Sequence, residues 1–388
     1  MTLPTSSIPR RVRLHVHGKN HRFRALCNLG FENTMAEEFV AIGVAGPFEM
    51  DDGGIEFETK LNEAWKVLAF SRICTKLLMT IGTFSAENFG KFEKEVVKIP
   101  WDLYLPTKTS PEVQVTCRRS RLYHSDALKE RALTIIEDAL GAKNDLSTLL
   151  PSVQKILFRL ENNLCRVFVD LGGEFLYKRG FDRFVERAPL KETLAASILW
   201  AAGLFSVDCL IDPMAGSGTF SLEAAMWAQG KTPAKCRHFA FEDQPGFKKP
   251  AWNHLIEKEA PSLWQSNPLF MVSDLAPKAV KTILHNITAC QLNLESLKPE
   301  LKDFFGYPTP TKKSLLVLNP PYGKRMEGNT LSFYKEIGKK IKTDFNNSNW
   351  AIVCPNSASE RALNLEYNSI IRSNHGGLDI SILIKNKN

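Results

Sequence analysis

The sequence predicts an α/β protein in two parts, and three observations predict it. After Gly172-Gly173, short apolar strands alternate one by one with helical patterns, as in a doubly wound, mostly parallel sheet. Before that point strands and helices follow one another in the irregular order of an α+β unit. Within the second part a glycine-rich loop joins a strand directly to a helix. At 388 residues the chain exceeds what one core ordinarily needs, so two or three units are expected, with a boundary near residue 185.

The first ten residues, with Pro4, Ser6, Ser7 and Pro9, read as a loose tail. Periodicity then predicts a helix over 33–42, a strand over 54–57, a helix over 61–71, a strand over 77–81 and a helix over 86–97. A strand over 113–117 and an amphipathic helix over 126–140 follow. Two alternating strands, 153–160 and 165–171, are joined by the turn Glu161-Asn162-Asn163. This half is one compact unit or two small ones. In the second part strands are predicted over 209–211, 269–272, 315–318 and 351–354, with a terminal pair near Ile370 and over 380–384. Helices fill 193–202, 219–229, 276–288 and 331–342.

Composition removes whole classes of function. Hydrophobic residues make up 44% and charged residues 24%, and no apolar run reaches the ~20 residues of a bilayer span, so a membrane role is not expected. Arg10, Arg11 and Arg13 are not followed by the apolar stretch of a signal peptide. The eight cysteines are scattered without a C-x-x-C pair and read as buried hydrophobes of a cytoplasmic protein. His15 and His17 lie one residue apart in what reads as a strand, and no metal site is expected from them.

The formal charge of +8 is concentrated in two places. From Arg10 to Arg24 there are six Lys or Arg and no acid, and Arg118, Arg119 and Arg121 form a second knot. Both are candidate polyanion contacts or solvated faces.

The strongest local signal runs Asp212-Pro213-Met214-Ala215-Gly216-Ser217-Gly218-Thr219, leaving a buried strand and entering a helix. Glycines there allow a sharp turn and close approach of a ligand. The loop lacks the G-x-G-x-x-G spacing of dinucleotide sites and the lysine of a P-loop, which favours a cofactor without phosphates. The next strand ends at Asp274, where a carboxylate can bind the paired hydroxyls of a ribose or simply be solvated. Asp303 is either an acceptor for an amino group or a surface acid, and the segment 291–304 shows no strand texture that would carry it into a site. The second strong signal, Asn319-Pro320-Pro321-Tyr322-Gly323, follows an apolar strand at the edge where parallel sheets bind ligands. It combines an amide acceptor, a carbonyl fixed by consecutive prolines and a flat aromatic face, a set able to hold a planar amine.

These residues resemble a known family: the S-adenosylmethionine-dependent amino-methyltransferases that carry an N-terminal THUMP RNA-binding domain, above all the bacterial ribosomal RNA guanine-N2 enzymes. The resemblance rests on Lys178-Arg179-Gly180-Phe181, the run from Arg187-Ala188-Pro189-Leu190 to Ala196, the Asp212–Thr219 loop with Glu223-Ala224-Ala225, and Asn319 to Gly323 with Arg325 close behind. Phe23 to Phe39 resembles the family's ferredoxin-like start, and Cys117 to Leu140 its THUMP core. The loop departs at Ala215, where the family leads one to expect cysteine.

The resemblance implies a Rossmann-like methyltransferase domain over 185–388, preceded by a ferredoxin-like segment with a basic tail over 1–70 and a THUMP domain over 71–184. It implies S-adenosylmethionine as cofactor, with Pro189 and Leu190 lining its site, Asp212, Pro213, Gly216, Gly218 and Thr219 around the methionine part, Asp274 on the ribose and Asp303 on the adenine. Asn319, Pro320, Pro321 and Tyr322 would hold the base, and Arg118, Arg119 and Arg121 the RNA. The implied substrate is structured RNA, most of all 23S ribosomal RNA, and a monomer without metal is expected. The second methyltransferase unit fused in some relatives is not expected, because the chain stops soon after its last strand. Transfer RNA as substrate and a non-catalytic ribosome-assembly protein remain as alternatives. The Asn-Pro-Pro-Tyr set alone serves adenine, cytosine and glutamine amides as well as guanine.

Overall fold

The structure is a computed structural model that describes residues 8–142, 154–185, 189–257, 263–264, 268–321 and 330–386. Helix α1 (Ile8–Val12) runs into a wide helical turn, Arg13–His17. The expected strand at His15 and His17 is thus a helical turn, in which residues two apart point in different directions. The chain continues through β1 (His21–Leu26), α2 (Glu32–Ala41), β2 (Glu49–Asp51), β3 (Gly54–Thr59), α3 (Leu61–Phe70), β4 (Lys76–Ser85), α4 (Phe89–Val97), β5 (Glu112–Arg118), α5 (Ser125–Leu140), β6 (Lys155–Glu161) and β7 (Leu164–Asp170).

These seven strands form one sheet in the order β2-β3-β1-β4-β7-β6-β5. It is antiparallel except for the parallel pair β5 and β6. Strands β1 and β4 pair across residue 70, with Phe23 opposite Met79. The segments 1–70 and 71–184 therefore share a sheet.

Local chemistry explains the elements. Strand β6 alternates buried Ile156, Phe158 and Leu160 with the half-buried Lys155, Leu157, Arg159 and Glu161, and Asn162 and Asn163, both with positive φ, close a two-residue hairpin to β7. In α5, Leu128, Ala132, Ile136 and Leu140 recur every fourth residue and are buried. Strand β1 escapes sequence reasoning because its charges are used internally. Arg24 is buried against Glu56, its direct partner across the sheet, at 3.0 Å, and against Asp51 at 2.5 Å. Arg22 also reaches Glu56, at 2.6 Å, and Arg11 pairs with Asp102. Half of the basic run 10–24 is thus neutralised within the fold and is not a free polyanion face.

The second half comprises α6 (Glu192–Ala201), β8 (Cys209–Asp212), α7 (Thr219–Ala228), α8 (Lys249–Glu257), β9 (Leu269–Asp274), α9 (Pro277–Ala289), β10 (Pro299–Leu301), β11 (Ser314–Leu318), α10 (Thr330–Asp344), β12 (Asn349–Cys354), α11 (Ser357–Leu363), β13 (Ser369–His375) and β14 (Leu378–Lys385). The sheet order is β10-β9-β8-β11-β12-β14-β13, parallel from β10 to β12 and antiparallel at the β14-β13 edge. Strands β8, β11 and β12 are buried along their whole length. Leu210, Leu315, Val317 and Val353 enter one core, while Ile211, Leu316, Leu318 and Ile352 enter another, so helices cover both faces.

The first of these cores continues into the N-terminal sheet through α3 and α8, where Trp65 packs on Phe241 at 5.2 Å and Phe241 on Trp252 at 4.9 Å. No described helix is long and apolar enough to cross a membrane.

Candidate active site

Strand order reverses between β8 and β11: from β8 the chain moves outward to β9 and β10, then returns to β11 on the other side. Loops leaving the carboxyl ends of strands on either side of such a point diverge and leave a crevice. A cavity of about 800 Å³ lies there. Its walls include Pro189, Leu190, Pro213, Gly216, Thr219, Asp274, Asp303, Asn319, Pro320 and Pro321, all singled out in the sequence.

The loop after β8 is fixed by its own backbone and by β9. Gly216 and Gly218 take positive φ values of 56° and 82°, and Gly218 N–H donates to the Ala215 carbonyl at 2.7 Å. The Ala215 N–H reaches the Ser273 carbonyl at 3.1 Å. Asp274 Oδ2 accepts the Gly216 N–H at 2.9 Å, and Oδ1 accepts the Ala276 N–H at 2.9 Å.

Two loop residues expected at the cofactor are not among the cavity walls. Asp212 is buried and turned into α7, where its carboxylate accepts the Ser221 hydroxyl at 2.5 Å and the Ser221 N–H at 3.3 Å. Burial pushes its pKa up to about 7, with the charge of Asp274 acting in the same direction and the Ser221 donors opposing. Gly218 lies at the back of the loop, where a Cβ would stand 3.3 Å from Ile283 of α9. Both shape the loop from behind.

The segment before Asp303 contains a strand after all. Strand β10 pairs in parallel with β9, and the Lys302 N–H donates to the Asp274 carbonyl at 3.2 Å, which carries Asp303 to the cavity wall beside Asp274. Three residues beginning with proline are too few to show alternation. One carboxylate oxygen of Asp303 accepts the Phe305 N–H at 3.1 Å. Phe304, Phe305 and Phe333 add aromatic wall, Phe305 and Phe333 meeting edge to face at 6.0 Å. At the end of β11 the Asn319 Oδ1 is buried and has no hydrogen-bond partner among the described residues. Tyr322 lies outside the described residues, as do Arg187, Ala188, Gly323 and Arg325.

Sequence reasoning missed several wall residues, among them Met214, Phe305 and Phe333. Met214 is legible as a member of the loop, whereas Phe333 belongs to a helix whose sequence only declares its buried side. Asn286 was also missed. Buried in α9, it donates to the Ser217 and Phe184 carbonyls at 2.9 Å and accepts the Phe184 N–H at 2.8 Å, tying the glycine loop to the segment before Pro189.

The expected RNA-contacting arginines are not cavity residues. Arg118, Arg119 and Arg121 are exposed at the end of β5, and Arg121 pairs with Glu87 at 2.8 Å.

The resemblance motifs outside the cavity have a structural meaning. Glu223 of α7 is fully buried between Arg72, which follows α3, and Arg179, at 3.3 and 3.2 Å. Burial alone would raise its pKa, but the two guanidiniums outweigh it and hold the carboxylate below its ordinary range. Arg72 also donates to the Lys231 carbonyl and Arg179 to the Arg72 carbonyl. The N-terminal sheet is thereby anchored to the helix that starts at the glycine loop.

A doubly wound sheet with this crevice, an acid at the end of β9 and an Asn-Pro-Pro turn after β11 define the class of Rossmann-like methyltransferases. Comparison with known proteins gives the family: residues 179–375 match the RMKL-like methyltransferase domain, UPF0020, and the chain belongs to that family. Among its relatives is the ribosomal RNA large subunit methyltransferase K/L of Syntrophotalea carbinolica, 28% identical over 93% of this chain and 53% of the relative. The protein of that name from Buchnera aphidicola is 30% identical over 88% of this chain and 50% of its own. The chain thus spans about half the length of these K/L relatives. A Synechocystis protein named as a candidate RNA methyltransferase is 28% identical over 91% of this chain and 94% of its own. The solved structure of SMU.472, a candidate methyltransferase complexed with SAH, superposes with a TM-score of 0.80 over 95% of this chain and 99% of its own, at 23% identity, a likeness of fold.

Proposed function

We propose that this protein transfers a methyl group from S-adenosylmethionine to the exocyclic 2-amino group of a guanosine in ribosomal RNA. The observation that carries the reading is the Oδ1 of Asn319, a buried acceptor with no partner among the described residues, in the wall of the same cavity as Asp274 and Asp303. A buried acceptor without a partner costs about 1–3 kcal/mol, a cost that a donor arriving with substrate removes.

The cavity's donor set fits the cofactor. Asp274 keeps lone pairs for ribose hydroxyls after serving two backbone N–H groups, since a carboxylate has about four acceptor positions. Asp303 is an acceptor for the adenine amino group, and Phe305 is a flat apolar neighbour. Pro189, Leu190, Pro213, Gly216 and Thr219 close the remaining wall. Asp212 and Gly218 hold the loop in shape. When bound, the sulfonium supplies an activated methyl group.

The protein's part is positioning. Asn319 Oδ1 and the Pro320 carbonyl accept the two amine hydrogens, so the nitrogen lone pair turns toward the methyl; Pro321 stiffens the turn and Tyr322 supplies a stacking face. An RNA base reaches such a cavity only when flipped or unpaired. The N-terminal sheet, read as a ferredoxin-like segment followed by a THUMP unit, grips the RNA around it through Arg118, Arg119 and Arg121. A cytoplasmic monomer without metal is the expected form.

Support comes from the family match and from the K/L relatives' names. The test is incubation of the purified protein with methyl-labelled S-adenosylmethionine and separately purified unmodified ribosomal and transfer RNA, followed by nucleoside mass spectrometry. Labelled 2-methylguanosine in the ribosomal fraction alone is expected. Label in transfer RNA would replace the substrate, and cofactor and RNA binding without label would indicate a ribosome-assembly protein.

A further inference from the structure

Helices α10 and α11 face each other across an open groove of about 810 Å³, separate from the cavity. They meet because Gly338 has no side chain: a Cβ there would stand 2.0 Å from the Leu363 carbonyl oxygen. The groove carries Lys335, Lys339 and Lys342 from α10 and Arg361 from α11, against one acid, Glu336. All four cations are exposed, and none forms an ion pair with a described residue. By contrast Lys340, on the inner side of the same helix, is held by Asp344 at 2.7 Å and by the Tyr307 carbonyl at 2.7 Å. A smaller hollow of about 240 Å³ shares Lys342 and Asn364 with the groove and extends it past Asn346 to Lys385, with Glu366 as its acid.

Favourable placement near a helix C-terminus accounts for Lys342 and Arg361. It does not account for Lys335 and Lys339, which sit mid-helix on the face that Lys342 also occupies, at the i, i+4, i+7 spacing of one stripe. A concave track of unneutralised cations from two facing helices is complementary to a polyanion. The groove also has an address. Ser332 lies at its end and the next residue, Phe333, lines the methyltransferase cavity, so consecutive residues of α10 face the two.

We propose that the α10–α11 groove binds the phosphate backbone of the RNA strand whose target base enters the cavity beside Phe333. This rests on the RNA reading given above and adds a second grip, on the methyltransferase half itself. Contacts of this kind position a strand without reading its sequence. They fix where the flipped base emerges relative to Asn319.

The test compares wild type with the quadruple variant Lys335→Ala, Lys339→Ala, Lys342→Ala, Arg361→Ala and with a Lys335→Arg, Lys339→Arg, Lys342→Arg variant. Binding of a ribosomal RNA fragment is measured at several salt concentrations, together with methyl transfer and S-adenosylmethionine affinity. The quadruple variant is expected to bind RNA at least about tenfold more weakly at 100 mM salt, with the slope of log K against log salt reduced by roughly 0.7 for each phosphate that is no longer neutralised. Its KM for RNA rises, its cofactor affinity stays unchanged, and the arginine variant binds like wild type. Unchanged RNA affinity and salt slope in a quadruple variant that still binds cofactor would overturn the groove while leaving the methyltransferase reading intact. Groove-dependent RNA binding without methyl transfer in wild type would sustain the groove and sink that reading. Failure of wild type to bind RNA would overturn both.

Discussion

Asp274 holds Gly216: the carboxylate that ends β9 accepts the N–H of the loop leaving β8 at 2.9 Å, and with its other oxygen the N–H of Ala276. One side chain therefore sets the shape of the loop and faces the cavity. Asp274→Ala is expected to weaken S-adenosylmethionine binding about 10- to 100-fold, the loss of one or two hydrogen bonds to a charged group. Asp274→Asn, which keeps one acceptor, should fall between. Calorimetric titration of both variants checks this, and unchanged affinity would remove Asp274 from the cofactor site.

Asn319 differs because its acceptor serves nothing in the described protein. Asn319→Ala is expected to lower kcat by about 10²–10³, the range for one preorganised polar group acting on a reacting centre, with little change in cofactor affinity. Stability should hold or rise slightly, because an unpartnered buried acceptor is removed. Single-turnover methyl transfer and a urea titration separate these effects. A large loss of stability would instead make the amide a structural element.

Asp212 gives a pH signature. Its folded pKa is raised by burial to about 7 from an ordinary 3.8, so the folded state binds the extra proton between those values. The stability it contributes is fully present below about pH 4 and is lost as pH rises through 7. Asp212→Asn has no such proton, so its stability relative to wild type should increase from pH 5 to pH 8. Urea unfolding of both proteins at the two pH values measures the difference. A difference independent of pH would mean that the Ser221 donors keep the carboxylate charged throughout.

How much of this was legible depended on whether a residue's neighbours in sequence are also its neighbours in space. The second sheet is legible because its strands are continuous apolar runs between helices, and the loop and the Asn-Pro-Pro turn declare themselves by composition. Strand β10 is hidden by its brevity, and β1 by cross-strand pairing of Arg22 and Arg24 with acids 27 to 34 residues away. Asp212 looks like a ligand because it stands at a strand end, yet its rotamer turns toward Ser221. Asn286 carries no local signal at all, since its partners Ser217 and Phe184 are remote in the chain.

Gly180 shows what the Lys-Arg-Gly-Phe motif requires physically. Its φ is +86°, and a Cβ there would stand 1.9 Å from the Cys236 carbonyl oxygen. Gly180→Ala therefore meets both a left-handed backbone and a backbone overlap, and should destabilise the protein by at least about 1–3 kcal/mol. The loss should appear in chemical denaturation, and Gly306→Ala, where open space surrounds the added methyl, provides the contrast.

Glu223 tests whether the buried arginines are a joint or a decoration. Glu223→Gln would leave Arg72 and Arg179 in the interior without their ion-pair partner. Removing one partner of such a pair costs about 3–5 kcal/mol, because the remaining charge stays desolvated. Adding Arg72→Met should then cost much less than it does in wild type, since it removes one of the two stranded cations, and the double-mutant coupling should be about 1–3 kcal/mol. The acid limb carries the same information with a defined sign. Glu223 is held below its ordinary carboxylate range, so its contribution is present at neutral pH and is lost as pH falls through that depressed value. The Glu223→Gln variant should lack that part of the acid transition. Urea titrations of the four proteins of the cycle, repeated at steps from pH 7 down to about pH 2, measure both. Additive losses with no change in the acid limb would show that the two arginines are satisfied by the Lys231, Leu176 and Arg72 carbonyls alone.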